Sequence, residues 1–278
     1  MFTSAVIALL TDFGGSDYFV GVLKGVITSI NPRVRIIDIT HGVEAFNIQK
    51  GAFQLFASYR FFPRGTIFLT VVDPGVGTSR RILLAQTGKY YFISPDNGLL
   101  TYVLSSEKLV CLYEVKNPRF FLTPSPTTFE ARDKMAPVAA WLSLGIDPAE
   151  FGPPTSRWFR FANQEPSLAG EELKGEVFYI DQFGNVITNV EGSWLKELAA
   201  KSQESNFFLR IKNKQISHYS STYAAAPYGK VSFLIGSLGL VEIFLREGSA
   251  AQTLGVEVGD EVIIGLRGRA NRLRGKRK

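Results

Sequence analysis

Residues 6–30 read VIALLTDFGGSDYFVGVLKGVITSI: an apolar run, a polar glycine turn and a helical repeat in immediate succession. The five apolar residues Val6 to Leu10 do not alternate with polar ones, as expected of a strand covered on both faces in a parallel sheet. From Asp17 onward, Phe19, Val22, Leu23, Val26, Ile27 and Ile30 recur at three- and four-residue intervals, the spacing of one helix face. Asn31-Pro32 ends that helix, because the residue before a proline is driven out of the helical region. The same alternation continues outward. Strands are expected at Val34–Ile39, Ile67–Val72, Ile82–Thr87 and Tyr90–Ser94, with helices at Ile48–Arg60 and Asp133–Leu144. Residues 1–160 therefore read as an α/β sandwich domain.

Four prolines between Asp147 and Gly170, at 148, 153, 154 and 166, interrupt all periodicity and mark a crossing between domains. Residues 161–266 then carry short apolar runs at Val177–Ile180, Asn206–Ile211, Val231–Ile235, Val241–Leu245 and Glu261–Leu266, separated by turn signals. They read as a smaller, mainly β domain. The chain has 278 residues, 45% of them apolar, enough for two modest cores. A single cysteine, Cys111, rules out an internal disulfide framework and a multi-thiolate metal site. No run approaches the roughly 20 apolar residues of a membrane span. The amino terminus shows no secretory pattern, so a cytoplasmic protein is expected.

The net charge of +6 is local: residues 267–278 hold seven basic side chains and no acid, leaving 24 of the 31 basic residues against 25 acids elsewhere. This basic tail is expected to be a disordered, solvated extension, with weak RNA or phosphate affinity as the other reading. With only His41 and His218 in the chain, histidine-rich zinc sites and Ser/His/Asp chemistry have few possible members, and catalysis must lean on carboxylates and arginine.

Such groups stand at the ends of expected strands, where open α/β sheets bind their ligands. Thr11-Asp12-Phe13-Gly14-Gly15 offers Asp12 either to the hydroxyls of a ribose or as a plain turn acid. Asp73-Pro74-Gly75-Val76-Gly77-Thr78-Ser79-Arg80 puts an acid at a strand end before a glycine turn, so that Asp73 and Arg80 could meet across it. Pro95-Asp96-Asn97-Gly98 reads equally as turn chemistry. Glu130 stands in Thr128-Phe129-Glu130-Ala131-Arg132-Asp133 at a helix start, where Arg132 can pair with Asp133. In the second domain Asp181-Gln182-Phe183-Gly184-Asn185 reads as a tight hairpin or as a polar binding turn.

Taken in this order, the segments resemble the S-adenosylmethionine hydroxide adenosyltransferase family, the adenosine-forming hydrolases related to fluorinase and chlorinase. The resemblance runs from Thr11-Asp12-Phe13-Gly14 through residues 72–77, 95–98 and 183–189 to the Gly248–Ala251 turn. It implies hydrolysis of S-adenosylmethionine to adenosine and L-methionine without a cofactor or metal. It also implies a homotrimer with active sites between one subunit's first domain and its neighbour's second. The family's water-handling set of Asp, Arg and His maps onto Asp73, Arg80 and Glu130, with the glutamate standing where relatives carry histidine. Asp12 would take the ribose hydroxyls and Phe46 the sugar and sulfonium region, with Asp181, Asn185, Ser237 and Glu242 as second-domain contributors. Asp73, Arg80 and Glu130 together would present a charge of −1 to the sulfonium, and the carboxyl of higher pKa would act as base toward water. Three other readings compete: a protein that binds S-adenosylmethionine or adenosine without turnover, a halide transferase, and an RNA-associated protein working through its tail. An acid at Asp73 would repel an incoming halide, which favours water.

Overall fold

In this computed structural model, residues 5–125, 127–162, 165–170, 172–202 and 207–266 are described. The basic tail lies outside them. The chain divides into two compact units, residues 1–161 and 162–278.

The first unit is built on a six-stranded sheet of order β2-β1-β3-β5-β4-β6. Its strands are β1 (Val6–Thr11), β2 (Arg35–Thr40), β3 (Ile67–Val71), β4 (Ile82–Thr87), β5 (Tyr91–Pro95) and β6 (Leu109–Glu114). The first three strands and β5 run parallel, while β4 lies antiparallel to both β5 and β6. Every residue of β1 and β3 is buried. One layer of helices pairs α1 (Phe19–Ile30) with α4 (Ala136–Ser143), and the other pairs α2 (Ile48–Ser58) with α3 (Thr101–Ser106). Ile7, Leu9, Leu69 and Val71 pack with Leu23 and Ile27 of α1 and Val138 of α4. On the opposite face, α2 comes so close at Gly51 that a Cβ there would sit 3.0 Å from Val72. This is the layered α/β architecture expected from the sequence.

The chain runs from β1 to β2 on one side, then returns to β3 on the other. That reversal leaves a crevice outside the carboxyl ends of β1 and β3, the place where sheets of this kind bind ligands. Asp12 follows β1 directly and Asp73 lies two residues beyond β3.

In the first unit, β6 and the start of the last helix depart from expectation. β6 is an edge strand with Leu109 and Val110 exposed, so it lacks the burial pattern that would announce it. The helix expected from Asp133 begins instead as a widened turn over Ala131–Met135, in which the Ala136 N–H reaches the Ala131 carbonyl. Pro137 explains this: it has no N–H to give the Asp133 carbonyl, which instead accepts from the Leu122 N–H at 2.8 Å.

The second unit is an antiparallel sheet of β7 (Ser167–Ala169), β8 (Glu172–Ile180), β9 (Val186–Glu191), β10 (Phe207–Ile211), β11 (Lys214–Ile216), β12 (Val231–Ile235), β13 (Leu240–Leu245) and β14 (Glu261–Leu266). Two helices, α5 (Gly192–Ser202) and α6 (Ala250–Leu254), cover its core, with Leu195 and Leu254 among the buried side chains. Among the described residues no helix is long and apolar enough to cross a membrane.

Candidate active site

A cavity of about 320 Å³ opens at the β1/β3 crevice, and Asp12, Asp17, Phe46, Asp73 and Glu130 all line it. The turn after β1 is tied down by three contacts. The Gly14 N–H donates to the His41 carbonyl at 2.8 Å, the Thr11 hydroxyl lies 2.8 Å from His41 Nδ1, and Asp12 Oδ2 accepts the Phe46 N–H at 3.0 Å. Phe46 is held at φ +66° and is 70% exposed. An aromatic side chain in the left-handed region is strained and points to a local demand on the backbone. Phe13, Phe19 and Phe129 form an apolar wall, their ring centres 5.3–5.8 Å apart.

Beyond β3, Asn97 Nδ2 donates to the Val72 carbonyl at 2.8 Å and fixes the strand end that carries Asp73. The chain then turns back through Gly77, whose φ of +79° a side chain would oppose. That reversal brings Arg80 onto Asp73: Nε donates to Oδ1 at 2.9 Å and Nη2 pairs with Oδ2. The same Nη2 lies 2.5 Å from Glu130 Oε2. Asp73, Arg80 and Glu130 are at most 10% exposed in their side chains, so the structure brings together the three residues expected to handle water.

A fourth charged group joins them. Lys134 Nζ lies 2.5 Å from Glu130 Oε1, one helical turn along. Two acids and two bases make the cluster neutral, which corrects the expected charge of −1. Asp12 and Asp17 add two further acidic side chains to the cavity lining. Burial works against the ionised form of Glu130, but the hydrogen bond from Lys134 and the charge of Arg80 outweigh it and hold the carboxyl below its ordinary value of 4.5. Arg132 does pair with Asp133, at 2.6 Å, and Asp133 also accepts from the Thr127 hydroxyl at 2.6 Å, securing the loop that carries Thr128 and Phe129.

The second unit has its own cavity of about 700 Å³, lined by Phe183, Asn185, Tyr223, Arg246, Glu247 and Ser249 among others. Asp181 organises the β8–β9 hairpin turn: Oδ1 accepts the N–H groups of Phe183 and Asn185 at 2.8 and 2.9 Å, and Oδ2 accepts from Asn185 Nδ2 at 2.9 Å. Glu242 is buried and accepts the Tyr223 hydroxyl. Burial raises the pKa of both groups, and the nearby Asp181 charge raises each further. Ser237 is exposed in the β12–β13 turn and does not line this cavity. Sequence reasoning missed Asp17, Lys134, Tyr223 and Arg246. Lys134 had a readable signal, its i,i+4 spacing from Glu130. Tyr223 and Arg246 had none, since the fold of the sheet brings them to one cavity from well-separated positions.

Gly184 welds that hairpin to the next motif. At φ +80°, a Cβ there would lie 2.9 Å from Ser249 Cα, and its carbonyl accepts the Ala251 N–H at 2.9 Å. Gly184→Ala is expected to destabilise the second unit by about 1–3 kcal/mol, through backbone strain and overpacking. A thermal melt unchanged from wild type would show that the two turns do not depend on each other.

The chain is similar to known proteins along most of its length. Residues 7–152 match the SAM hydroxide adenosyltransferase N-terminal domain and residues 175–263 its C-terminal domain. The chain is 33% identical over 259 residues to the (R)-S-adenosyl-L-methionine hydrolase of Thermus thermophilus, covering 90% of this chain and 95% of that protein. It is 32% identical to a fluorinase of an Actinoplanes species, over 69% of this chain and 74% of that one. A solved structure of an uncharacterized conserved protein from Thermotoga maritima superimposes with a TM-score of 0.86 at 36% identity, covering 94% of this chain and 100% of that chain. With both domain models matched in order and relatives aligned along nearly its whole length, the chain belongs to the S-adenosylmethionine hydroxide adenosyltransferase family.

Proposed function

We propose that this protein hydrolyses S-adenosyl-L-methionine to adenosine and L-methionine by in-line attack of water on the ribose 5′ carbon. The observation that carries this reading is the convergence of Asp12 with the Asp73–Arg80–Glu130 cluster in one cavity at the β1/β3 crevice. The hydrolase names of the relatives agree with it, and the (R) configuration at sulfur in those names is the one proposed here.

In the reaction a water oxygen forms a bond to C5′ as the C5′–S bond breaks. The electron pair of that bond goes to sulfur, which leaves as the neutral thioether of methionine, and the proton lost by the oxygen passes to a carboxylate and then to solvent. The leaving group needs no protonation, so no cofactor is invoked. Asp73 and Glu130 hold the water through carboxylate lone pairs, while Arg80 fixes both carboxylates. Orientation of this kind supplies roughly 7–11 kcal/mol in favourable cases. Asp12 takes the ribose hydroxyls, Phe46 covers the sugar and sulfonium, and Asn185, its amide held by Asp181, supplies the second unit's contact.

The assembly in this proposal is a cytoplasmic homotrimer whose sites pair one subunit's first unit with a neighbour's second. Sedimentation at the mass of a monomer would refute that part. The activity is tested by incubating the protein with S-adenosylmethionine and following adenosine and methionine by chromatography, with Asp73→Ala as control. Stoichiometric adenosine and methionine, lost in the control, are expected. Retained adenosine binding by calorimetry without any product would leave a binding protein instead, and halide-dependent loss of substrate would indicate a halide transferase.

A further inference from the structure

Glu130 is held from two sides by cations that come from different parts of the chain. Arg80, at the end of the glycine turn, takes Oε2, and Lys134, on the widened turn that follows Glu130 itself, takes Oε1, each at 2.5 Å. Lys134 is no loose surface lysine. Its side chain is 15% exposed, and its ammonium lies 5.8 Å from the Phe121 ring centre. The charged groups gathered at this end of the cavity are Asp73 and Arg80 from the glycine turn, Lys134 beside Glu130, and Asp12 and Asp17 after β1.

A buried carboxylate with a single cationic partner shared by a second carboxylate would carry uncompensated charge and a free rotamer. With Lys134 in place, each acid has its own base, and the Glu130 carboxylate is clamped at both oxygens while each keeps a lone pair for another donor. We propose that Lys134 is a positioning residue for hydrolysis: it fixes the ionised Glu130 carboxylate against Arg80, so that Glu130 and Asp73 together orient the attacking water. This rests on the hydrolase reading above and adds a residue to it.

The test is a double-mutant cycle in the full-length protein. Lys134→Met keeps the length of the stem and removes the charge, and is expected to lower kcat about tenfold with KM changed less than about threefold. It also removes one of the two cations opposing burial at Glu130, so Glu130 takes up a proton at higher pH and the acid limb of the kcat profile moves upward. Lys134→Arg is expected to restore both kcat and the limb. Because Lys134 acts through Glu130, adding Lys134→Met to Glu130→Gln is expected to cost less than about twofold. Calorimetric adenosine binding verifies that each variant is folded.

An unchanged kcat and pH profile in Lys134→Met overturns the proposal while leaving the hydrolase reading intact. So does an equal loss with and without Glu130, or a loss of kcat matched by a loss of adenosine binding that arginine does not restore. A wild-type protein that produces no adenosine from S-adenosylmethionine refutes the hydrolase reading itself, and this role with it.

Discussion

Replacing Asp73 by asparagine is expected to lower kcat for S-adenosylmethionine hydrolysis by about a thousandfold. The side chain keeps its size, so the variant tests charge rather than packing. Asp73 lies just past the end of β3, and both of its oxygens accept from Arg80. A carboxylate about 4 Å from developing charge contributes about 4 kcal/mol at an effective dielectric of about 20. If felt only in the transition state, that is nearly three powers of ten in rate.

The change also leaves Arg80 and Lys134 against Glu130 alone, a net charge of +1 beside a sulfonium. The affinity for cationic S-adenosylmethionine is therefore expected to fall, while that for neutral adenosine stays within about threefold, since a charge at this distance acts on charge. Steady-state kinetics with calorimetry on both ligands reads these effects separately. A loss of kcat smaller than about tenfold would remove Asp73 from the water-handling role. Equal weakening of both ligands would show a general disturbance of the cavity.

The residues that were legible in the sequence share a physical reason. β1, its turn and α1 announce themselves because a fully buried parallel strand leaves no polar position to confuse the pattern. The Asp73–Arg80 pair was readable because two glycines make the intervening turn tight enough for only a few outcomes. The Asp181–Asn185 hairpin was readable for the same reason, with Gly184 at positive φ. What stayed hidden depends on sequence-distant register. Glu130 reaches Arg80 across 50 positions only because the sheet brings the end of β3 beside the turn that precedes α4. The widened turn that orients Glu130 follows from Pro137, whose effect on a neighbouring carbonyl appears once Leu122 is seen to bond it. The cluster's charge was misjudged for a simpler reason: Lys134 was legible by spacing alone, but its burial was not.

Removing Arg80 should do the greatest damage to the first unit. Arg80→Met leaves Asp73 and Glu130, both buried, facing each other with only Lys134 to compensate them. Taking away one member of a buried ion cluster costs about 3–5 kcal/mol, because the remaining charges are neither solvated nor paired. Urea denaturation at neutral pH is expected to show a loss of this size in the transition of the first unit, together with loss of turnover.

The pH dependence identifies the cause. In the wild type, Glu130 has a folded pKa below its ordinary value of 4.5, so its contribution to stability is present above that value and fades as pH falls through the lowered one. In Arg80→Met the lowering by Arg80 is gone, and burial and the Asp73 charge push the Glu130 pKa above its wild-type position against the hydrogen bond and charge of Lys134, which remain. Glu130 therefore takes up its proton earlier in the variant as pH falls, and the gap between variant and wild type should narrow as pH falls from about 7 toward the lowered wild-type value. A gap constant across this range would mean that Arg80 stabilises the fold through the packing of its stem, and that the two carboxylates are kept apart by something other than its charge.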